Sequence, residues 1–215
     1  MSVGSPSHSN PTDQYTWLPK GTRLWHVYPD GFDCLAFNAK STNRFALPPP
    51  PACAMFYAGD SADCALWESV LRNLVINSAQ PQPVDPGLLA GRSIVELEVA
   101  LDTKILDLRA PYFRKFSSDP ALHAELQRLA VVPDAQYAET HAKARALRDE
   151  WTDAVGLCWF SRQIGAQRAY VFYRPPHPAG GFRKIQAHSL DTAQGWALID
   201  AALDVVGVKR LGATL

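Results

Sequence analysis

Residues 54–73 read AMFYAGDSADCALWESVLRN, an apolar run that passes directly into a helical pattern. Ala54–Ala58 has the aromatic and apolar composition of a short strand. Asp60 or Ser61 supplies an N-cap, and we expect the helix to run from there to about Asn73. A strand and a helix therefore follow each other within twenty residues.

The predicted helix has one face that packs inward. Trp67, Val70, Leu71 and Leu74 recur at helical spacing and mark that face. Glu68 lies on the opposite side of the helix, so the pattern alone predicts an exposed charge.

Working outward, short strands and helices are mixed along the chain. Ser93–Ala100 alternates strictly between apolar and acidic residues, which predicts a half-buried strand. Further strands are predicted at 22–28, 104–108, 155–160, 169–173 and 182–187, and helices at 119–151, divided at Pro133, and at 191–206. Because the regular strand–helix–strand rhythm of a parallel sheet is missing, the expected fold class is α+β.

Length and composition indicate one globular domain. The chain has 215 residues, 47% of them apolar and 20% charged, enough for a substantial core. Residues 1–19 are predicted to be a disordered or loosely packed leader, and residues 20–215 the folded domain. A four-proline run at 48–51 predicts a rigid loop.

The charge balance excludes several classes of partner. Lysine plus arginine equals aspartate plus glutamate at 21 each, which disfavours direct nucleic-acid binding. No segment is apolar for the roughly 18 residues that a bilayer requires, and no secretory signal is recognisable. We therefore expect a cytoplasmic protein without a membrane partner.

The spacing of the cysteines and the absence of common site motifs argue against several classes of protein. Cys34, Cys53, Cys64 and Cys158 lie far apart without a CxxC pair, so we expect reduced, mostly buried thiols and no metal site. GxGxxG, GxxxxGK[ST], HExxH and GxSxG are all missing. A Rossmann oxidoreductase, a P-loop NTPase, a zincin and an ordinary α/β-hydrolase are disfavoured.

The region from Arg23 to Arg72 holds the residue types that a dinucleotide would need. Arg44 could bind phosphate with its guanidinium group, Tyr57 could stack on a planar base, and Glu68 could stabilise a developing positive charge. Each also has a plain structural interpretation: Arg44 as a solvated loop residue, Tyr57 as a core residue. Ser161 by default is a strand-end serine bonded to nearby backbone. Pattern alone therefore reaches an α+β domain with a possible anion site.

Five segments together resemble the RES domain family over about residues 20 to 175. They are GTRLWHVYPDG at 21–31, NRF at 43–45 followed by the proline run, MFYAGDSADCALWESVLRN at 55–73, SIVELEVALDTKILDL at 93–108, and DAVGLCWFSRQIGAQRAYVFY at 153–173. The resemblance implies an ADP-ribosyltransferase-like fold. It also implies consumption of NAD⁺, by hydrolysis or phosphorolysis.

The resemblance also implies roles for individual residues. Glu68 matches the catalytic glutamate and Tyr57 a tyrosine that packs on nicotinamide or its ribose. Arg44 and Ser161 would hold the pyrophosphate or the neighbouring ribose. His26 stands where the family has an arginine; it could donate a hydrogen bond to a phosphate, although histidine is only partly charged near neutral pH.

The implied function is that of an NAD⁺-degrading toxin of a toxin–antitoxin system. NAD⁺ would be the substrate, with no further cofactor. The expected partner is a cognate Xre-type antitoxin or an immunity protein, and the oligomeric state is left open. The toxin would act in the cytoplasm or be delivered into a target cell as an effector. Two alternatives stay open: an ADP-ribosyltransferase acting on a protein, and a catalytically silent RES-like domain that binds a nucleotide or a protein.

Overall fold

The structure, a computed structural model, describes residues 14–49, 53–76, 83–177 and 180–211. Residues 1–13 of the predicted leader and residues 50–51 of the proline run lie outside the described residues. Within the described residues, eight strands and four α-helices form one α+β unit, which confirms the predicted fold class. The strands are β1 (Thr16–Leu18), β2 (Arg23–Pro29), β3 (Phe56–Gly59), β4 (Arg92–Val99), β5 (Thr103–Asp107), β6 (Gly156–Phe160), β7 (Arg168–Phe172) and β8 (Phe182–Ser189). The helices are α1 (Ala62–Trp67), α2 (Pro120–Leu129), α3 (Tyr137–Glu150) and α4 (Ala193–Asp204).

The described strands form one mixed sheet in the order β1-β5-β6-β7-β3-β2-β4-β8. Neighbouring strands are antiparallel except β5 and β6, which are parallel. β2 and β3 are neighbours near the middle of the sheet, and β6 reaches β3 through β7. This order places the ends of distant chain segments side by side.

β4 confirms the strand predicted from strict alternation. Val95, Leu97 and Val99 are fully buried, whereas Glu96 and Glu98 are partly exposed and pair with Arg23 of β2 at 3.4 Å each. The alternating apolar side chains are buried because one face of the strand packs on the core.

β1 begins within the segment predicted to be a leader. Thr16–Leu18 pair with β5, and Leu18 is 2% exposed. The sheet therefore includes residues before position 20. The polar composition of the segment concealed the contribution of Leu18, whose apolar side chain packs in the core.

Helix α1 begins as predicted but is shorter. The Ser61 hydroxyl caps it by accepting from the Cys64 backbone N–H at 3.0 Å. The prediction that it runs to Asn73 was wrong: it ends at Trp67 and turns follow. The hydroxyl of Ser69 donates to the Ala65 carbonyl at 2.5 Å, the acceptor that the next helical N–H would use.

The two helices predicted between 119 and 151 are confirmed. Asp119 caps α2 by accepting from the Ala121 N–H at 2.9 Å, and Pro120 is the first helical residue. Pro133 separates α2 from α3, because its ring cannot continue a helix.

α1 packs between the sheet and α4. The Trp67 indole N–H donates to the Ala202 carbonyl of α4 at 2.9 Å, and both residues are buried. On the sheet side, Gly59 ends β3 so close to α1 that an added Cβ would lie 2.7 Å from the Ala65 nitrogen. The missing side chain of Gly59 therefore sets how closely α1 approaches the end of β3.

The four cysteines are free thiols, and Cys34, Cys64 and Cys158 are buried, as predicted. Among the described helices, none combines the length and the apolar character that crossing a bilayer requires.

Candidate active site

A cleft of about 810 Å³ opens beside β2, β3 and the end of α1. This volume falls within the roughly 300–1,000 Å³ of ligand pockets. His26, Arg44, Tyr57 and Glu68 all line it. Ser161 is 2% exposed and reaches the cleft only through its contact with Glu68.

Glu68 is held by two donors from the turn after β6. The Ser161 hydroxyl donates to Glu68 Oε1 at 2.6 Å, and the Arg162 backbone N–H donates to the same oxygen at 3.2 Å. Glu68 Oε2 accepts no hydrogen bond within the described part of the chain. The carboxylate is therefore fixed at one oxygen and available at the other.

Ser161 owes its position to the turn that it starts. Its hydroxyl oxygen accepts from the backbone N–H groups of Gln163 and Ile164 at 3.2 and 3.3 Å. Its own backbone N–H donates to the Gln167 carbonyl at 2.8 Å, which closes the connection between β6 and β7. Ser161 thus bonds to nearby backbone, as its plain interpretation predicts, and also bonds to Glu68.

His26 is tied to the strand that carries Tyr57. Its Nδ1 lies 2.6 Å from the Tyr57 carbonyl oxygen. A carbonyl can only accept, so Nδ1 carries the proton. Burial lowers the pKa of His26 to about 4, against a smaller opposing effect of the hydrogen bond, so the ring is neutral at pH 7.

Tyr57 has a fixed and protonated phenol. Its hydroxyl donates to the Arg44 carbonyl at 3.1 Å, and burial raises the pKa of the phenol. The side chain is only partly buried, so it can form a wall of the cleft.

Arg44 is not the solvated loop residue that its polar neighbours indicate; it is 3% exposed. Its terminal nitrogens donate to the carbonyls of Leu129 and Val132 at 2.8 Å each, and its guanidinium lies 5.0 Å from the centre of the Tyr137 ring. The remaining donor, Nε, is enclosed without a partner among the described residues. Arg44 therefore brings positive charge to the wall of the cleft while its donors face the protein, and its predicted contact with substrate stays a prediction.

Arg72 is a cleft residue that sequence reasoning missed. It donates from Nη1 to the Asn43 side chain at 2.8 Å, and its Nη2 lies 3.4 Å from Asp134. About a quarter of its side chain is exposed, so it is more accessible than Arg44. The signal in the sequence was its spacing of four residues from Glu68, which places both on one side of the predicted helix, although the structure has turns at these residues.

Cationic groups outnumber acidic ones along the cleft. Lys40, Arg44, Arg72 and Arg92 contribute to its lining, against the carboxylates of Asp33 and Glu68. Such a surface favours a ligand with an anionic part. Within the described residues, no group of three or more histidine, cysteine or acidic side chains could hold a metal ion.

Two comparisons with known proteins, one with family models and one with solved structures, found a match. The model of a family described as "RES domain" matches residues 23–198. The fold is similar to a chain in the solved structure titled "Crystal structure of the M.tuberculosis MbcT-MbcA toxin-antitoxin complex", with a TM-score of 0.58 and 16% identity. The match covers 87% of this chain and 94% of that chain. No curated protein sequence matches the chain significantly.

Proposed function

The chain belongs to the RES domain family, and from that membership and the geometry of the cleft we propose that it cleaves the bond between nicotinamide and ribose in NAD⁺. The observation that carries the proposal is the Glu68 carboxylate, held in the cleft by Ser161 and Arg162. The activity is that of a glycohydrolase or a phosphorylase.

A fixed carboxylate suits this reaction because positive charge develops on the ribose. As the bond between C1′ and the nicotinamide nitrogen stretches, the ribose acquires oxocarbenium character, as in glycoside cleavage. Glu68 Oε2 can face that charge while Oε1 stays on its two donors. A carboxylate positioned beforehand stabilises the transition state without reorganising.

The bonds balance without an acid. When the C1′–N bond breaks, its electron pair stays on the nicotinamide nitrogen, and nicotinamide leaves as a neutral molecule. In hydrolysis the oxygen of a water then bonds to C1′ and its proton passes to solvent. In phosphorolysis an anionic oxygen of inorganic phosphate bonds to C1′ instead. Tyr57, whose phenol stays protonated, acts as a wall for the nicotinamide or its ribose rather than as a base.

The cationic wall suits the pyrophosphate. Arg72 is about a quarter exposed, and its terminal nitrogens contact the side chains of Asn43 and Asp134. It is therefore better placed to reach a phosphate oxygen than Arg44, which is 3% exposed and binds two buried backbone carbonyls. Arg44 adds charge to the same wall. Binding energy from this distant half of the substrate would then hold C1′ against Glu68.

The biological role that we propose is a toxin neutralised by a cognate antitoxin. Support comes from membership of the RES family and from the fold shared with a chain of a toxin–antitoxin complex. An antitoxin of the Xre type that covers the cleft would block the entry of NAD⁺.

The test compares the release of nicotinamide from NAD⁺ by the wild-type protein and by Glu68→Gln. We expect turnover by the wild type and a loss of at least about a hundredfold in the variant, which keeps the shape but removes the charge. Glu125→Gln, on α2 and paired with Lys143, is the matched control and should turn over at the wild-type rate. Absence of nicotinamide release by the wild type, or full activity of Glu68→Gln, contradicts the proposal. When the assay is repeated with NAD⁺ labelled in its ADP-ribose part, label that becomes attached to a protein would identify the transferase alternative.

A further inference from the structure

His26 presents a single hydrogen-bonding atom to the cleft. Its Nδ1 is engaged by the Tyr57 carbonyl at 2.6 Å, and its Nε2 accepts no hydrogen bond from the described residues. Nε2 is also not among the enclosed atoms without a partner, so it is open to the cleft that His26 lines. No step of the proposed cleavage uses this atom.

The hydrogen bond to Tyr57 fixes what Nε2 can do. A neutral imidazole carries one proton, and the carbonyl acceptor places that proton on Nδ1. Nε2 is therefore a lone-pair acceptor. The ring is held in this orientation by Phe56, whose centroid lies 4.2 Å away, and by Tyr28, stacked at 6.0 Å.

An acceptor at this place rejects phosphate. A pyrophosphate oxygen is itself an acceptor and would meet the Nε2 lone pair with no proton between them. Protonating Nε2 to make a donor is opposed by the burial that lowers the pKa of His26 to about 4. His26 is therefore not a substitute for a phosphate-binding arginine.

We propose that His26 Nε2 accepts a hydrogen bond from a ribose hydroxyl of the dinucleotide, and so reads the sugar rather than the pyrophosphate. Ribose hydroxyls are four of the donors that NAD⁺ offers, and a hydroxyl can fill a single acceptor position without a second protein group. The carboxamide of nicotinamide, by contrast, would also require a protein donor for its own carbonyl oxygen. The inference rests on the proposed function, because it assumes that NAD⁺ occupies this cleft.

The experiment measures binding in the Glu68→Gln background, where turnover is slow, by calorimetric titration. The probes are NAD⁺ and its four analogues that lack one 2′- or 3′-hydroxyl of either ribose. His26→Asn is the informative variant, because its amide nitrogen occupies the place of Nδ1 and can still donate to Tyr57, whereas no atom replaces Nε2. His188→Asn, on the edge strand β8 and outside the cleft lining, is the matched control.

We expect one analogue to bind about three- to tenfold more weakly than NAD⁺, the value of one neutral hydrogen bond. His26→Asn should weaken the binding of NAD⁺ by the same factor. This variant should bind that analogue as tightly as it binds NAD⁺. Two results would refute the hydroxyl contact and leave the proposed function in place. In the first, NAD⁺ binds but His26→Asn leaves every dissociation constant unchanged. In the second, His26→Arg tightens the binding of NAD⁺ and all four analogues bind as tightly as NAD⁺. If NAD⁺ does not bind at all, the proposed function fails and takes the contact with it.

Discussion

Ser161 offers the sharpest single perturbation of the site. In Ser161→Ala the Glu68 carboxylate loses its shorter hydrogen bond, at 2.6 Å, and keeps only the Arg162 N–H at 3.2 Å. A hydrogen bond to a charged group is worth about 1.5–3 kcal/mol. Since about 1.4 kcal/mol corresponds to a factor of ten in rate, the expected loss in kcat is about ten- to hundredfold.

The loss should fall on kcat because Ser161 acts through Glu68. The hydroxyl is buried beneath the carboxylate and does not line the cleft. KM for NAD⁺ should therefore change by less than about threefold, the pattern of an interaction that matters only in the transition state. The assay is steady-state release of nicotinamide over a range of NAD⁺ concentrations.

Two further variants control for folding. Ser161→Thr retains a hydroxyl that can reach Glu68 and should recover at least part of kcat, whereas Ser189→Ala removes a serine hydroxyl at the end of β8 and should have no effect. A Ser161→Ala variant that keeps its kcat and raises KM tenfold or more would refute the indirect role, because Ser161 would then hold the substrate directly.

Other predictions concern stability. Arg44→Met should lower the free energy of unfolding by about 1–3 kcal/mol in urea denaturation, because the buried Leu129 carbonyl loses its charged donor and the Val132 carbonyl keeps only the Arg162 guanidinium at 3.4 Å; unchanged stability would mean that the guanidinium binds elsewhere. Gly59→Ala should cost about 1–3 kcal/mol, because the new Cβ would lie 2.7 Å from a backbone nitrogen of α1; Gly31→Ala, which has open space around its Cβ, is the control and should cost less than about 0.5 kcal/mol. Burial lowers the pKa of His26 from 6.5, its value in the unfolded chain, to about 4 in the folded protein. As pH falls, the unfolded chain therefore takes up a proton before the folded protein does. Stability should then decrease from about pH 6.5 towards pH 4 by at most about 3 kcal/mol; His26→Asn should remove that part of the pH dependence, and an identical pH profile in the variant would contradict the depressed pKa.

Local pattern predicted those parts of the fold that depend on neighbours in sequence. The alternation in β4 and the separation of α2 from α3 at Pro133 needed only local rules. The length of α1 was misjudged, because the hydroxyl of Ser69 competes for a helical carbonyl in a way that helix propensity does not express.

The site depends on contacts between distant segments. The helical pattern predicts Glu68 to be an exposed charge, because it takes account only of residues in the same helix. In the structure Ser161, 93 residues later, donates to one of the carboxylate oxygens of Glu68. Arg44 is similar, because the carbonyls of Leu129 and Val132 that bury it belong to the end of α2 and the turn after it. The family resemblance selected Glu68, Tyr57, Arg44, Ser161 and His26 from the chain. In the structure His26, Tyr57 and Arg44 form one hydrogen-bonded group, Glu68 and Ser161 form another, and all of them except Ser161 line one cleft.

A structure of the Glu68→Gln variant with NAD⁺ tests the central claim most directly. We expect the nicotinamide ribose in the cleft with C1′ about 3–3.5 Å from the side chain of residue 68, the distance of a group poised for reaction, and the pyrophosphate on the side of Arg72. NAD⁺ bound with its nicotinamide ribose away from residue 68, or no NAD⁺ in the cleft at concentrations that saturate the variant in solution, would contradict the account.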